Sequence, residues 1–256
     1  MKNLVSLEGK RIIVTGAGQG IGRAAAEMAI GLGAKVAAVD LNEAAVQDFA
    51  AANGDAAMGI AGNVADPDLA PAIVQRMVGE WGGVDGLVNN AGITRPAMIH
   101  KMAIEQWREV IDVHLTGSYL FLQAVGSHLL QRAKDGEQAP GAIVNVSSDA
   151  GKRGSIGQIN YATAKAGLMG MTMSAAREWA RYEIRTNTVC FGVVETPMTE
   201  VVRGEKFRDN TLAQIPMGRW SQPDEAVSMI CYLLSDAASY VIGQHISVNG
   251  GYHIST

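Results

Sequence analysis

Seven short runs of β-branched and apolar residues, at 11–15, 35–40, 57–60, 86–89, 142–147, 185–191 and 245–248, alternate with longer segments of helical spacing, among them 20–32, 67–81, 104–131 and 161–182. Several of the runs are apolar throughout instead of alternating. Strands read that way when helices cover both faces of a parallel sheet. Strand–helix–strand repetition therefore predicts an α/β fold, a doubly wound parallel sheet of about seven strands with helices on both faces. No Pro/Gly-rich linker or shift in composition divides the 256 residues, so one domain over 1–256 is expected. The polar stretch 134–141 reads as a surface turn before the fifth strand.

The charge balance narrows the function classes. A formal net charge of −4 offers no basic stripe for nucleic acid. The longest apolar stretch, 24–39, is interrupted by Glu27 and Lys35, too short to span a bilayer. The first residues lack the apolar run of a secretion signal. A soluble, cytoplasmic protein without nucleic-acid or membrane partners is expected. Cys190 and Cys231 sit in apolar segments and read as reduced core thiols, so no metal site is expected.

The first run leads into Gly16-Ala17-Gly18-Gln19-Gly20-Ile21-Gly22 and then a helix. Glycines between a strand and a helix permit a tight turn, let the backbone approach a diphosphate, and let helix and strand pack closely. The helix N-terminus offers free N–H groups and partial positive charge. The second run ends in Asp40, placed where a carboxylate accepts hydrogen bonds from adenosine ribose hydroxyls and repels a ribose phosphate. Leu41 and Asn42 supply no cation for such a phosphate, which favours NAD(H) over NADP(H). The competing reading of Asp40 is a helix cap or a solvated turn acid.

Tyr161 and Lys165 are four apart, and on a helix they share a face. A cation near a phenol favours the phenolate and fits it to exchange protons with a substrate oxygen. Together these residues resemble the short-chain dehydrogenase/reductase family, in particular its 3-oxoacyl-thioester (acyl carrier protein) reductase-like branch. The likeness runs from about Leu7 to the C-terminus. Thr15-Gly16-x-x-x-Gly20-Ile21-Gly22 resembles the family's cofactor turn, and Asn89-Asn90-Ala91-Gly92 the segment after its fourth strand. Ser148 lies before Tyr161 at the spacing of the family's catalytic serine. Thr196-Pro197-Met198 resembles the stretch that holds the nicotinamide, and Asn249-Gly250-Gly251 the end of the last strand.

The resemblance implies a Rossmann fold and a hydride transfer between NAD(H) and a ketone or secondary alcohol. Tyr161 would be the acid/base, Ser148 would hold the substrate oxygen, and Lys165 would bind the nicotinamide ribose and lower the tyrosine pKa. The cofactor would contact Gly16, Gln19, Gly20, Ile21, Gly22, Asp40, Leu41, Asn63, Val64, Asn90, Ala91, Gly92, Tyr161, Lys165, Val194 and Thr196. Ser148, Ala150, Gln158 and Tyr161 would meet substrate. His114 stands where the family usually carries an asparagine that holds a relay water. A neutral imidazole can do the same and titrates near neutrality, and the competing reading is a histidine that satisfies local backbone. Phe191 replaces the family's proline, and Asn63 its acid, before Val64.

The stretch 195–215 is expected to be a flexible lid. Its Arg203, Lys206 and Arg208 read as a solvated face more than as an anion trap. The resemblance also implies a homotetramer in which the two long helices, about 102–131 and 161–182, pair across a twofold axis, and Gly167, Gly170, Ala175 and Ala176 would allow their close approach. Met169, Met171 and Met173 read as core or subunit contacts. The alternative function is a catalytically silent, nucleotide-sensing regulator or scaffold on the same fold.

Overall fold

A computed structural model describes residues 3–254. Its sheet contains seven parallel strands in the order β3-β2-β1-β4-β5-β6-β7. They are β1 (Arg11–Thr15), β2 (Lys35–Asp40), β3 (Ala57–Ala61), β4 (Gly86–Asn89), β5 (Ala142–Ser148), β6 (Arg185–Phe191) and β7 (His245–Val248). Each lies where the sequence places it, to within a residue.

Among the described residues, ten α-helices connect them: α1 (Gly20–Gly31), α2 (Glu43–Asn53), α3 (Leu69–Trp81), α4 (Ile104–Ile111), α5 (Gly117–Lys134), α6 (Ala150–Arg153), α7 (Ile159–Trp179), α8 (Glu200–Arg203), α9 (Glu205–Leu212) and α10 (Pro223–Leu234). Strand side chains alternate between two cores. Ile12, Val14, Val36 and Val144 pack with α1, α2 and α10. Ile13, Ala37, Leu87 and Ile143 pack with α3, α5 and α7. Both faces are thus dry, which explains the unbroken apolar runs. Cys190 and Cys231 are buried, free thiols.

The expected continuous helix 104–131 is a correction. A π-helical turn, Asp112–Thr116, interrupts it between α4 and α5 and is centred on His114. The stretch 195–215 also carries more order than expected, with a 3₁₀ turn followed by α8 and α9. Among the described residues no helix is long and apolar enough to cross a membrane.

The foot of the sheet is tied by ions. Asp85 accepts from Arg11 Nε at 2.6 Å and from Arg132 Nη2 at 2.8 Å. The opposite, C-terminal end of the sheet is open where the strand order reverses between β1 and β4. In open α/β sheets, ligands bind at that switch point.

Candidate active site

The turn after β1 is shaped by its glycines. Gly16 has φ +66°, and a Cβ on Gly22 would lie 2.0 Å from the Gly16 carbonyl oxygen. Gly22 therefore serves helix–strand packing and does not line the cavity. Helix α1 has no side-chain cap at Gln19 and no acid in its first turn, so its leading N–H groups are free for an anion, as a diphosphate requires. Asn90 braces the turn by donating from Nδ2 to the carbonyls of Thr15 and Gly16 at 3.0 and 3.2 Å.

A cavity of about 300 Å³ runs from this turn across the ends of the strands. Its wall includes Gly16, Gln19, Gly20, Ile21, Asp40, Leu41, Asn63, Val64, Asn90, Ala91, Gly92, Val194 and Thr196 from the expected cofactor set. Ser148, Tyr161, Lys165 and His114 share it. Ala150 and Gln158 do not line it; Ala150 instead donates its N–H to Ser148 Oγ at 3.2 Å. Phe191, Met198, Thr199 and Val113 also line it. Thr199 was not legible from spacing; its hydroxyl closes the Thr196 turn by accepting from the Thr196 N–H at 3.2 Å.

At the adenosine end, Asp40 accepts from the Gly18 N–H at 2.9 Å and from the Asn42 N–H at 3.0 Å. The cap of α2 is Asn42, not Asp40. Asn63 already accepts from the Ala65 N–H through its side-chain oxygen at 3.0 Å, so an adenine amino group would have to share that acceptor.

At the other end, α7 is bolted to the sheet by buried polar contacts. Ser147 Oγ donates to the Lys165 carbonyl at 2.7 Å, and Asn145 donates to Thr172 Oγ1 at 2.8 Å. The Lys165 ammonium donates to the Val146 carbonyl at 2.7 Å and stands 5.6 Å from the centre of the Tyr161 ring. Burial brings the Lys165 pKa down to about 7. Burial also pushes the Tyr161 hydroxyl up, against a hydrogen bond from Ser148 that lowers it. Lys165 is not among the groups that act on the phenol in this structure, so the depression expected from it does not arise there.

His114 is 1% exposed, and its ring stands edge-on to Tyr161 with centroids 5.3 Å apart. Its Nε2 lies 2.8 Å from the Ile93 carbonyl oxygen. Its Nδ1 is buried without a hydrogen-bond partner. Burial, and then the charge of Lys165, lower its pKa to about 3. It is neutral at physiological pH and does not titrate near neutrality, which corrects that part of the expectation.

Arg203 also departs from the expected solvated face: half-buried, it donates to the Thr196 carbonyl and to Thr199 Oγ1, each at 3.2 Å. It fastens α8 to the turn that flanks the cavity.

A family model described as enoyl-(acyl carrier protein) reductase matches residues 16–253. The chain belongs to the short-chain dehydrogenase/reductase family. It is 40% identical over 250 residues to a 3-oxoacyl-[acyl-carrier-protein] reductase of Vibrio cholerae, covering 98% of this chain and 100% of the relative. A Thermotoga maritima protein of the same name is 41% identical, over 96% of this chain and 98% of its own. Among solved structures, a short-chain dehydrogenase/reductase from Brucella melitensis superposes with a TM-score of 0.90 at 32% identity, covering 97% of this chain and 98% of that one. A Beutenbergia cavernae structure, named for gluconate 5-dehydrogenase activity and holding NADP at low occupancy, gives 0.88 at 33% identity, covering 98% and 99%. This family member is an oxidoreductase that binds a nicotinamide cofactor and acts on a small-molecule ketone or alcohol.

Proposed function

We propose that the chain is an NAD(H)-dependent reductase of 3-oxoacyl thioesters or a closely related secondary-alcohol dehydrogenase. The observation that carries this reading is the meeting of Ser148, Tyr161 and Lys165 in one cavity with the glycine turn and Asp40. The bound nicotinamide supplies or takes the hydride, while the protein sets geometry and protons.

In the reducing direction, the Tyr161 hydroxyl gives its proton to the substrate oxygen as the carbonyl carbon gains the hydride. Ser148 donates a hydrogen bond to the same oxygen, where negative charge develops. The tyrosine is then reprotonated through Lys165. His114 belongs to this path through its free ring nitrogen: Nε2 meets both the Ile93 N–H at 3.0 Å and the Ile93 carbonyl at 2.8 Å, and the unpartnered Nδ1 is the atom left to hold a relay water. Burial and the charge of Lys165 disfavour its protonation, which fits a hydrogen-bonding role over that of a base.

Asp40 supports NAD(H). Its carboxylate stands in the cavity wall, and no arginine does. The NADP in the Beutenbergia structure points the other way, and a direct comparison decides. Exposed apolar side chains support an acyl substrate over a sugar. Met98, Ile99 and Ile156 are exposed at 49%, 71% and 90% on loops joined by the Ala97–Gly157 backbone bond, and Val201 and Phe207 at 74% and 42% on the lid helices. We assign 195–215 as a lid that excludes water during transfer.

We also place the enzyme in the cytoplasm as a homotetramer pairing through α5 and α7. Tyr119 and Met173 are exposed there, and Gly170 faces open space. Gly167 instead packs on Leu115 of its own chain, and Ala175 and Ala176 are buried.

The test is the loss of NADH or NADPH absorbance with a panel of ketones and β-ketoacyl thioesters. Faster turnover of thioesters with NADH is expected, and Asp40→Ala should narrow the preference for NADH. A preference for NADPH would overturn the cofactor assignment. Inactivity across the panel with both cofactors would favour the silent regulator.

A further inference from the structure

Residue Asp149 follows Ser148 directly and does not face the cavity. It is 2% exposed. Its backbone is fully engaged: the N–H donates to the Phe191 carbonyl at 2.9 Å, and the carbonyl accepts from Lys152 and Arg153, each at 3.0 Å. This is the same turn that brings the Ala150 N–H to Ser148 Oγ. The carboxylate reaches in another direction. One oxygen accepts from Asn249 Nδ2 at 2.8 Å, and the other is buried with no hydrogen-bond partner.

A buried carboxylate with one unpaired oxygen is costly, and burial pushes the Asp149 pKa up. Folding alone would be served better by an apolar residue at this position. What Asp149 gains is a fixed register with a turn 100 residues away.

Asn249 organises that turn. Its Nδ2 also donates to the His253 carbonyl at 2.8 Å, and its Oδ1 accepts from the Gly251 N–H at 3.0 Å. The Arg153 guanidinium lies 4.0 Å from the centre of the Tyr252 ring, a second bond between the same two segments. The turn's far side meets the foot of the lid. The Gly250 carbonyl accepts from the Met217 N–H at 3.1 Å. Gly251 adopts φ +87°, and a Cβ there would lie 2.9 Å from the Pro216 ring. One short turn therefore touches the serine's turn and the base of the lid together.

We propose that Asp149 and Asn249 are positioning residues that set the Ser148 hydroxyl by clasping the C-terminal turn, and with it the foot of the lid, to the end of β5. The clasp rests on Ser148 holding the substrate oxygen, as assigned above. Asp149 does not line the cavity. Its loss should therefore leave the cofactor site intact and loosen Ser148 by a fraction of an ångström, an error to which transition-state contacts are sensitive.

The test measures steady-state reduction of a β-ketoacyl thioester, together with NADH affinity by fluorescence and thermal midpoint, for Asp149→Ala, Asn249→Ala, the double variant, Asp149→Asn and Ser148→Ala. Each alanine variant is expected to lose about ten-fold or more in kcat, with NADH affinity changed less than two-fold. The double variant should be no slower than the slower single variant, because the two residues act as one unit. Asp149→Asn keeps an oxygen that accepts from Asn249 and should restore kcat to within about three-fold of the parent.

Wild-type kcat in the alanine variants overturns the clasp, as do additive losses in the double variant. A loss that Asp149→Asn fails to rescue, or one matched by an equal loss of NADH affinity, overturns it too. An inactive Ser148→Ala beside a fully active Asp149→Ala refutes the clasp alone. A fully active Ser148→Ala refutes the assignment of Ser148, and the clasp with it.

Discussion

Acidification should destabilise this protein through His114 by an amount that can be calculated. An unfolded histidine titrates near 6.5, whereas burial and Lys165 hold the folded His114 at about 3. Between those values the unfolded chain binds a proton that the folded chain refuses, so stability falls as pH drops below the unfolded value. Each pH unit in that window costs about 1.4 kcal/mol. From pH 7 to pH 5 the single ring therefore removes about 2 kcal/mol, a sizeable part of a typical domain's stability.

Urea unfolding at both pH values, at one protein concentration, measures the loss. The control is His114→Asn, which has no titrating ring. His128 and His245 also have lowered pKa values, mainly through burial, but both are present in each protein and cancel in the difference. The wild type should lose about 2 kcal/mol more than the variant. Parallel pH profiles would refute the claim that this histidine is held neutral. The same variant should leave the acidic limb of the pH–rate profile in place, because a group titrating at about 3 does not create it.

Further outcomes follow from packing and charge. A Cβ on Gly92 would lie 2.4 Å from His114 Cε1, so Gly92→Ala should cost about 1–3 kcal/mol by overpacking and lower kcat by pushing the ring toward Tyr161, both readable from denaturation and initial rates. At the sheet's foot, burial opposes the Asp85 charge, but hydrogen bonds from Arg11 and then Arg132 outweigh it and hold the carboxyl below its usual range. That contribution is present above the unfolded value of about 4 and is lost as pH falls through the folded value. Asp85→Asn should cost about 2 kcal/mol at neutral pH by taking the carboxylate from Arg11, while Arg132 keeps Glu137, with kcat unchanged in the folded fraction.

The strands and the glycine turn were legible because their signals are local. A run such as Ile12-Ile13-Val14 states that both faces are covered, and Gly16 and Gly22 sit where one turn demands them. Tyr161 and Lys165 were legible from the helical period, and Ser148 through the family's spacing. The π turn was not, because it only slips the apolar pattern by one position, and a helix face is too loosely periodic in sequence to register a single slip. Only His114 marks it, and its neutrality depends on burial and on Lys165, both contributed by the fold. Arg203 looked like one charge among several on a polar stretch, and the acceptors that hold it, Thr196 and Thr199, are backbone and hydroxyl oxygens with no charge pattern to read. Asp149 and Asn249 meet only because β5 and β7 end at the same edge of the site, a long-range fact that no window of sequence contains.

The central claim is that the Tyr161 hydroxyl moves the proton of the reaction. Tyr161→Phe removes one hydroxyl and keeps the ring against His114. Single-turnover oxidation of bound NADH by a β-ketoacyl thioester should slow by about 10²–10⁴-fold, the usual worth of a general acid, with NADH affinity within a few-fold of the parent. A variant that transfers hydride at near-parental rate would contradict the account.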